Sequence, residues 1–254
     1  MSRADKLALQ HRCLREVGRW MAAASPGARL WEGDGITAAI VPATPQRSVV
    51  NSVVYESADA LAARYDELAG AYERAGVRAW TVWVPEFDAE AIGLLTARGH
   101  AFDGQPAAMS IDLAGFDGPP EGELDWDDEA TLEEFGEIND SAYGFPQGEG
   151  MAAAFAGIPA DVDVRLYRAR VDGETATVIA TIDHEDDVSI HFVATRERFR
   201  GRGLASRLLA AALREGKRRG MRTSTLQASA MGEPVYARLG YGFYFRLHLY
   251  ERRS

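Results

Sequence analysis

Apolar residues along the chain recur at two periods, and the switches between them outline a mixed α/β protein. Residues 4 to 24 place Leu7, Leu14, Val17 and Met21 broadly on one side of a helix, which Ser25-Pro26-Gly27 stops. Short apolar runs at Arg29–Trp31, Ile36–Val41 and Val49–Tyr55 read as strands. A second helix, Ala58 to about Arg74, carries the stripe Leu61, Tyr65, Leu68 and Tyr72, with Ser57 as its N-cap. Trp80–Val84 reads as a strand and Asp88–Arg98 as a helix, and His100–Phe102 and Ala108–Leu113 close the unit as strands. From Ala114 to about Asp128, glycine and proline interrupt the periodicity and acids accumulate, which predicts an exposed linker. Beyond it come a helix over Asp128–Ser141, an irregular aromatic loop over Tyr143–Glu149 and a short helix over Met151–Ala156. Val164–Arg170 and Thr175–Asp183 alternate as antiparallel strands around the turn Val171-Asp172-Gly173-Glu174.

The most informative stretch runs from Val188 to Gly220. Val188–Thr195 alternates as a strand, with Ile190, Phe192 and Ala194 on one face and His191, Val193 and Thr195 on the other. A loop with Arg196, Arg198, Arg200 and Arg202 follows, interleaved with Gly201 and Gly203. A helix then carries Leu204, Leu208, Leu209, Ala212 and Leu213 to a stop at Gly220. Such a turn presents backbone N–H groups at a helix N-terminus, where the helix dipole favours an anion. Glycine lets the backbone approach an oxyanion with no Cβ in the way. The loop therefore reads as a pyrophosphate cradle. Arg196 to Arg219 holds nine Lys or Arg against two Glu, in a chain of net charge -10. A local positive field in an acidic protein points to a specific anionic ligand rather than to nucleic acid.

The order helix, strand, helix, strand in residues 58–113 recurs in residues 203–250, and Leu95-Thr96-Ala97-Arg98-Gly99-His100 resembles Val235-Tyr236-Ala237-Arg238-Leu239-Gly240-Tyr241 one residue shorter. Two tandem copies of one fold are expected, at 1–114 and 115–254. The first copy lacks the cradle. Its strand-to-helix turn is Val54-Tyr55-Glu56-Ser57-Ala58-Asp59, without glycine or arginine, and Glu56 and Asp59 would repel a pyrophosphate.

Arg200-Gly201-Arg202-Gly203-Leu204-Ala205 resembles the Arg/Gln-x-x-Gly-x-Gly/Ala signature of the GCN5-related N-acetyltransferases. Leu226-Gln227-Ala228-Ser229, followed by Pro234 to Tyr241, resembles that family's fifth strand, fourth helix and closing Tyr-x-x-x-Gly-aromatic. The resemblance implies an α/β (α+β) architecture: two tandem acyl-CoA N-acyltransferase folds, each a mixed, mostly antiparallel twisted sheet flanked by helices. It implies acetyl-CoA as cosubstrate and transfer of its acetyl group to a primary amine of a small molecule or peptide. The cofactor residues it implies are Val193, Ala194 and Thr195 on the strand, Arg200, Gly201, Arg202, Gly203, Leu204, Ala205 and Ser206 in the cradle, and Ser229 where many relatives carry asparagine. Tyr236 falls where the family's general acid meets the CoA sulfur; a phenol of pKa near 10 suits protonation of a thiolate. Tyr143, Phe145 and Glu149 fall in the segment that lines the acceptor site. For the general base, His191 stands beside Val193 on the strand, with Glu149 and His184 as rivals. The alternative from another class is an acyl-CoA-binding sensor or scaffold without turnover.

Composition narrows the setting. The 254 residues suit two domains, and 46% hydrophobic residues suffice for packed cores. Cys13 is the only cysteine, so neither an intramolecular disulfide nor a cysteine metal cluster is expected. The charged N-terminus has no apolar core of a signal peptide, and no run approaches a membrane span. A cytoplasmic enzyme without a metal, working with neither nucleic acid nor membrane, as a monomer or homodimer, is the expectation.

Overall fold

Capping side chains fix where several helices start. In the computed structural model, which describes residues 2–120, 122–145 and 150–254, Ser2 and Asp5 form a capping box on helix α1 (Arg3–Ala24). Two antiparallel strands follow, β1 (Arg29–Gly33) and β2 (Ile36–Ile40). Then come β3 (Ser52–Tyr55), α2 (Ala58–Arg74) capped by Ser57, β4 (Ala79–Pro85), α3 (Ala89–Ala97) capped by Asp88, β5 (Ala101–Gly104) and β6 (Ala107–Asp112). The expected strand from Val49 begins only at Ser52, because buried Asn51 bonds the turn instead: its amide accepts from Val41 N–H and donates to the Thr44 and Arg47 carbonyls.

The expected linker holds a strand, β7 (Asp125–Asp127), tied to its neighbour by Arg168 and Arg170 gripping Asp127. Helix α4 (Leu132–Tyr143) starts later than the periodicity predicted, because Thr131 and Glu134 form its capping box. The short α5 (Met151–Ala154) precedes β8 (Asp163–Val171) and β9 (Glu174–His184). Asp172 and Gly173, both at positive φ, make their two-residue turn. The chain ends in β10 (Asp187–Thr195), α6 (Leu204–Arg218), β11 (Thr223–Ala228), α7 (Glu233–Arg238) and β12 (Gly242–Arg253).

The strands join in one sheet, ordered β1-β2-β3-β4-β12-β6-β11-β10-β9-β8-β7, with β5 on β12. Among the named strands of the described residues, β3–β4 and β10–β11 pair in parallel and the rest antiparallel. The order corrects the expectation that β5 and β6 close the first unit. β6 pairs with β11 of the second half, and β12 crosses back the other way. Its first residues pair with β6, while Leu247–Arg253 pair with β4. Each half thus lends a terminal strand to the other.

Helices cover both faces. α6 packs Leu208, Leu209 and Leu213 against Ile179, Val188 and Leu226, while α2 and α3 cover the first half with Leu61, Tyr65, Leu68 and Leu95. On the opposite face α1 spans the junction. Its Trp20 and Met21 share a core with Ala39 of the first half and with Phe135, Met151 and Ala180 of the second. Among the described residues, no helix is long and apolar enough to cross a membrane.

Candidate functional site

β10 and β11 are hydrogen-bonded from Asp187–Thr223 to Ser189–Thr225 and then part. Beyond Ser189 the β11-facing edge of β10 borders a cleft of about 620 Å³. A bulge shapes the other edge. His191 pairs with Ala180 and Ala194 with Val178, so Phe192 and Val193 stand opposite a single residue of β9. Phe192 has φ 51°, a conformation that costs a bulky residue roughly 1–2 kcal/mol. Rings of Trp20, Phe135 and Phe155 surround Phe192 and hold it there.

The bulge corrects the simple alternation expected for this strand. Ile190 and Val193 pack toward α6, whereas Phe192 and Ala194 join the core under α1. His191 therefore does not share a face with Val193 and Thr195. It lies buried beneath α1, its Nε2 2.9 Å from Ser189 Oγ and 3.9 Å from Cys13 Sγ. Burial pulls its conjugate acid down to about 3, with nearby His184 adding a smaller push. Burial also pushes the Cys13 thiol up to about 12, so it stays protonated.

At the end of β10 the chain turns through Arg196 and a short 3₁₀ turn, Glu197–Phe199, into the glycine loop. Gly201 has φ 75° and Gly203 φ 70°, and a Cβ built on either meets nothing within 4 Å. Gly203 is the N-cap of α6 and supplies no side-chain cap, so the first-turn N–H groups lack that partner. Val193–Thr195, Arg200–Ser206, Ser229, Tyr143 and Tyr236 all line this one cleft. The arginine side chains act elsewhere. Arg200 donates to the Thr195 and Ala142 carbonyls, Arg196 donates to Thr175 O, and Arg202 lies over the Phe199 ring. Ser229 Oγ accepts the Gly232 N–H and so shapes the start of α7.

Tyr236 faces the cleft from α7, and burial raises its hydroxyl well above the usual phenol range. It is a neutral donor throughout the physiological range. Gly232 makes room for it: a Cβ there would lie 2.8 Å from the Tyr236 ring. Phe145 sits apart, under the Arg47 guanidinium, and lines an adjoining chamber together with His191. Glu149 lies outside the described residues. His184 lines neither cavity; it sits 3.4 Å from Asp187 at the far end of β10. No Asp or Glu among the described residues lines the cleft or the chamber.

Sequence reasoning missed Gln227, which lines both cavities, donates to Gln10 of α1, and contacts Cys13. It missed Gly232 as well. The one available signal was their place between two motif-bearing segments.

Residues 147–244 match the family model of the acetyltransferase (GNAT) domain. That stretch, similar to the acetyltransferase (GNAT) domain, contains the glycine loop and Tyr236. No curated protein matches the sequence. Among solved structures, the chain is similar to a GCN5-related N-acetyltransferase from Kribbella flavida, at 15% identity and TM-score 0.67, covering 96% of each chain. It is similar to a tandem GNAT protein from the clavulanic acid biosynthesis pathway, at 17% identity and TM-score 0.60, covering 94% of this chain and 87% of that one. A protein of unknown function from Staphylococcus epidermidis aligns at 14% identity and TM-score 0.61, over 88% and 93% of the two chains. At these identities the likeness is one of fold.

Proposed function

We propose that the protein is an acetyl-CoA-dependent N-acetyltransferase acting on a primary amine, with one active site in its second half. The observation that carries the reading is the glycine loop, with its uncapped helix start, at the mouth of the cleft where β10 and β11 part. The residues fit the cosubstrate. Open space faces Gly201 and Gly203, and the N–H groups of α6 are the donors a pyrophosphate needs. The unpaired edge of β10 from Ile190 to Thr195 suits an extended pantetheine arm, which hydrogen-bonds as a strand does.

Acetyl-CoA supplies an activated acyl carbon and a thiolate leaving group. The amine nitrogen bonds to that carbon, the C–S bond breaks, and the thiolate takes a proton. Tyr236 Oη holds that proton at the cleft wall, in its neutral form. The amine must lose a proton, and His191 is a poor acceptor, since a conjugate acid near 3 barely competes with an ammonium. In our reading the proton leaves to water.

The first half is proposed to bind no cosubstrate. Its strands β3 and β4 pair only through Ser52–Thr81 and Val53–Val82 and then part as β10 and β11 do. The gap there is lined by Glu56, Asp88 and Glu90 instead of glycine N–H groups. Like charge would repel a pyrophosphate.

Calorimetry with acetyl-CoA, followed by thiol release in the presence of an amine panel, tests the reading. Micromolar binding with amine-dependent thiol release is expected. Binding without turnover on any amine would favour a sensor, and no binding would overturn the proposal.

A further inference from the structure

The chamber beside the cleft has a volume of about 210 Å³. It shares Tyr143, Ile190, Phe192 and Gln227 with the cleft wall, so it adjoins the cleft that Tyr236 lines. Both halves of the chain build it. Leu14, Val17 and Met21 come from α1, and Val49 and Trp83 from the first half. No described Asp, Glu, Lys or Arg lines it, and its surface is mostly hydrocarbon.

We propose that this chamber holds the acceptor, and that the acceptor is a small primary amine carried on one ring or branched hydrocarbon group. The inference rests on the acetyltransferase reading and adds the substrate class. Size sets one bound. A cavity of roughly 150 Å³ lined by aliphatic side chains and phenylalanine takes up benzene, so this one holds a six-membered ring and a short linker. Polarity sets the other. A polyamine or an amino sugar would bury several ammonium or hydroxyl groups against a wall whose described polar side chains are Ser52, Tyr143, His191 and Gln227, at a cost for each group left unpaired. An amine with a hydrocarbon body buries only carbon and leaves its nitrogen at the shared wall. The same apolar lining disfavours the ammonium form, so the nitrogen arrives unprotonated.

The test uses the full chain with acetyl-CoA and follows free thiol with phenethylamine, cyclohexylmethylamine, spermidine and glucosamine. The two ring amines are expected to show kcat/KM at least about 10-fold above the two polar ones, as one or more unpaired buried polar groups would require. Val49→Trp adds a probe of place. Val49 is 39% exposed, so the fold tolerates a larger side chain there, and the indole would narrow the chamber. KM for phenethylamine should rise about 10-fold or more, with Kd for acetyl-CoA by calorimetry within twofold. If acetyl-CoA binds but spermidine or glucosamine is the better substrate, or Val49→Trp leaves KM for phenethylamine unchanged, the chamber assignment falls and the acetyltransferase reading stands. If the wild-type protein does not bind acetyl-CoA, both fall.

Discussion

Replacing Tyr236 by phenylalanine removes one hydroxyl and little else. The ring keeps its T-shaped packing on Tyr241, 5.9 Å between centroids, and its fit over Gly232. No hydrogen bond between Tyr236 Oη and another described residue is lost. Stability should therefore change by less than about 0.5 kcal/mol, a shift in Tm of no more than about 1–2 °C. Activity should respond differently. If Oη delivers the proton to the departing thiolate, kcat should fall by roughly 10–1,000-fold, or about 1.4–4 kcal/mol of barrier. The low end applies if water substitutes for the phenol. KM for acetyl-CoA should move much less, because the proposed pyrophosphate grip lies at Gly201–Ser206 and not at α7. Burial holds the Tyr236 proton above the ordinary phenol range, so wild-type kcat should show no basic limb from this group below about pH 10. The assay is thiol release under saturating phenethylamine or, failing turnover of that amine, slow hydrolysis of acetyl-CoA. Wild-type kcat in a folded Tyr236→Phe variant would refute the role and leave Tyr236 as a packing residue.

Gly203→Glu should abolish acetyl-CoA binding, since the new carboxylate enters the open space before the α6 N–H groups, and a positive φ adds roughly 1–2 kcal/mol of strain; unchanged affinity in calorimetry would remove the loop from the site. Binding stoichiometry should be one acetyl-CoA per chain, and a value of two would show that the β3–β4 gap is also a cosubstrate site. Stability should fall on acidification from pH 7 to pH 5, read as a falling Tm. Burial depresses the folded pKa of His11 and His100 to about 4 and of His191 to about 3, so the unfolded chain takes up their protons first, below about 6.5. Each costs about 2 kcal/mol by pH 5. Asp187, raised to about 6 by burial, opposes this with a smaller effect of the other sign, so a flat or rising Tm would contradict the burial of the three imidazoles.

What the sequence showed well was local. Helix α2 stands at its expected bounds because Ser57 and a four-residue apolar stripe agree, and the strand, glycine loop and helix after Asp187 were legible because each carries its own local signal. What it hid was set by long-range packing. Nothing in Phe192 announces a positive φ; three distant rings impose it, and with it the face on which His191 lies. A period of two cannot foresee an inserted residue. Gln227 and Trp83 looked like ordinary strand residues, and only the fold brings them to one chamber.

The exchange of strands decides how the two halves relate. A spare copy appended to an enzyme would keep its own last strand and could drift freely in sequence. Here β6 of the first half sits between β11 and β12, directly beside the strand that carries Gln227 and leads into Ser229. The tail of β12, from Leu247, completes the sheet of the first half in return. Helix α1 adds a third tie, since Gln10 reaches Met109 O and Gln227 while Trp20 packs on Phe135. Moving one half against the other would break ladder hydrogen bonds and open the α1 core together, so the halves form one mechanical unit. Under the proposal that the first half binds no cosubstrate, it still has a positive task. It holds β11 in register and supplies Val49 and Trp83 to the chamber wall, so the shape of the proposed acceptor pocket depends on residues more than 100 positions upstream of the glycine loop.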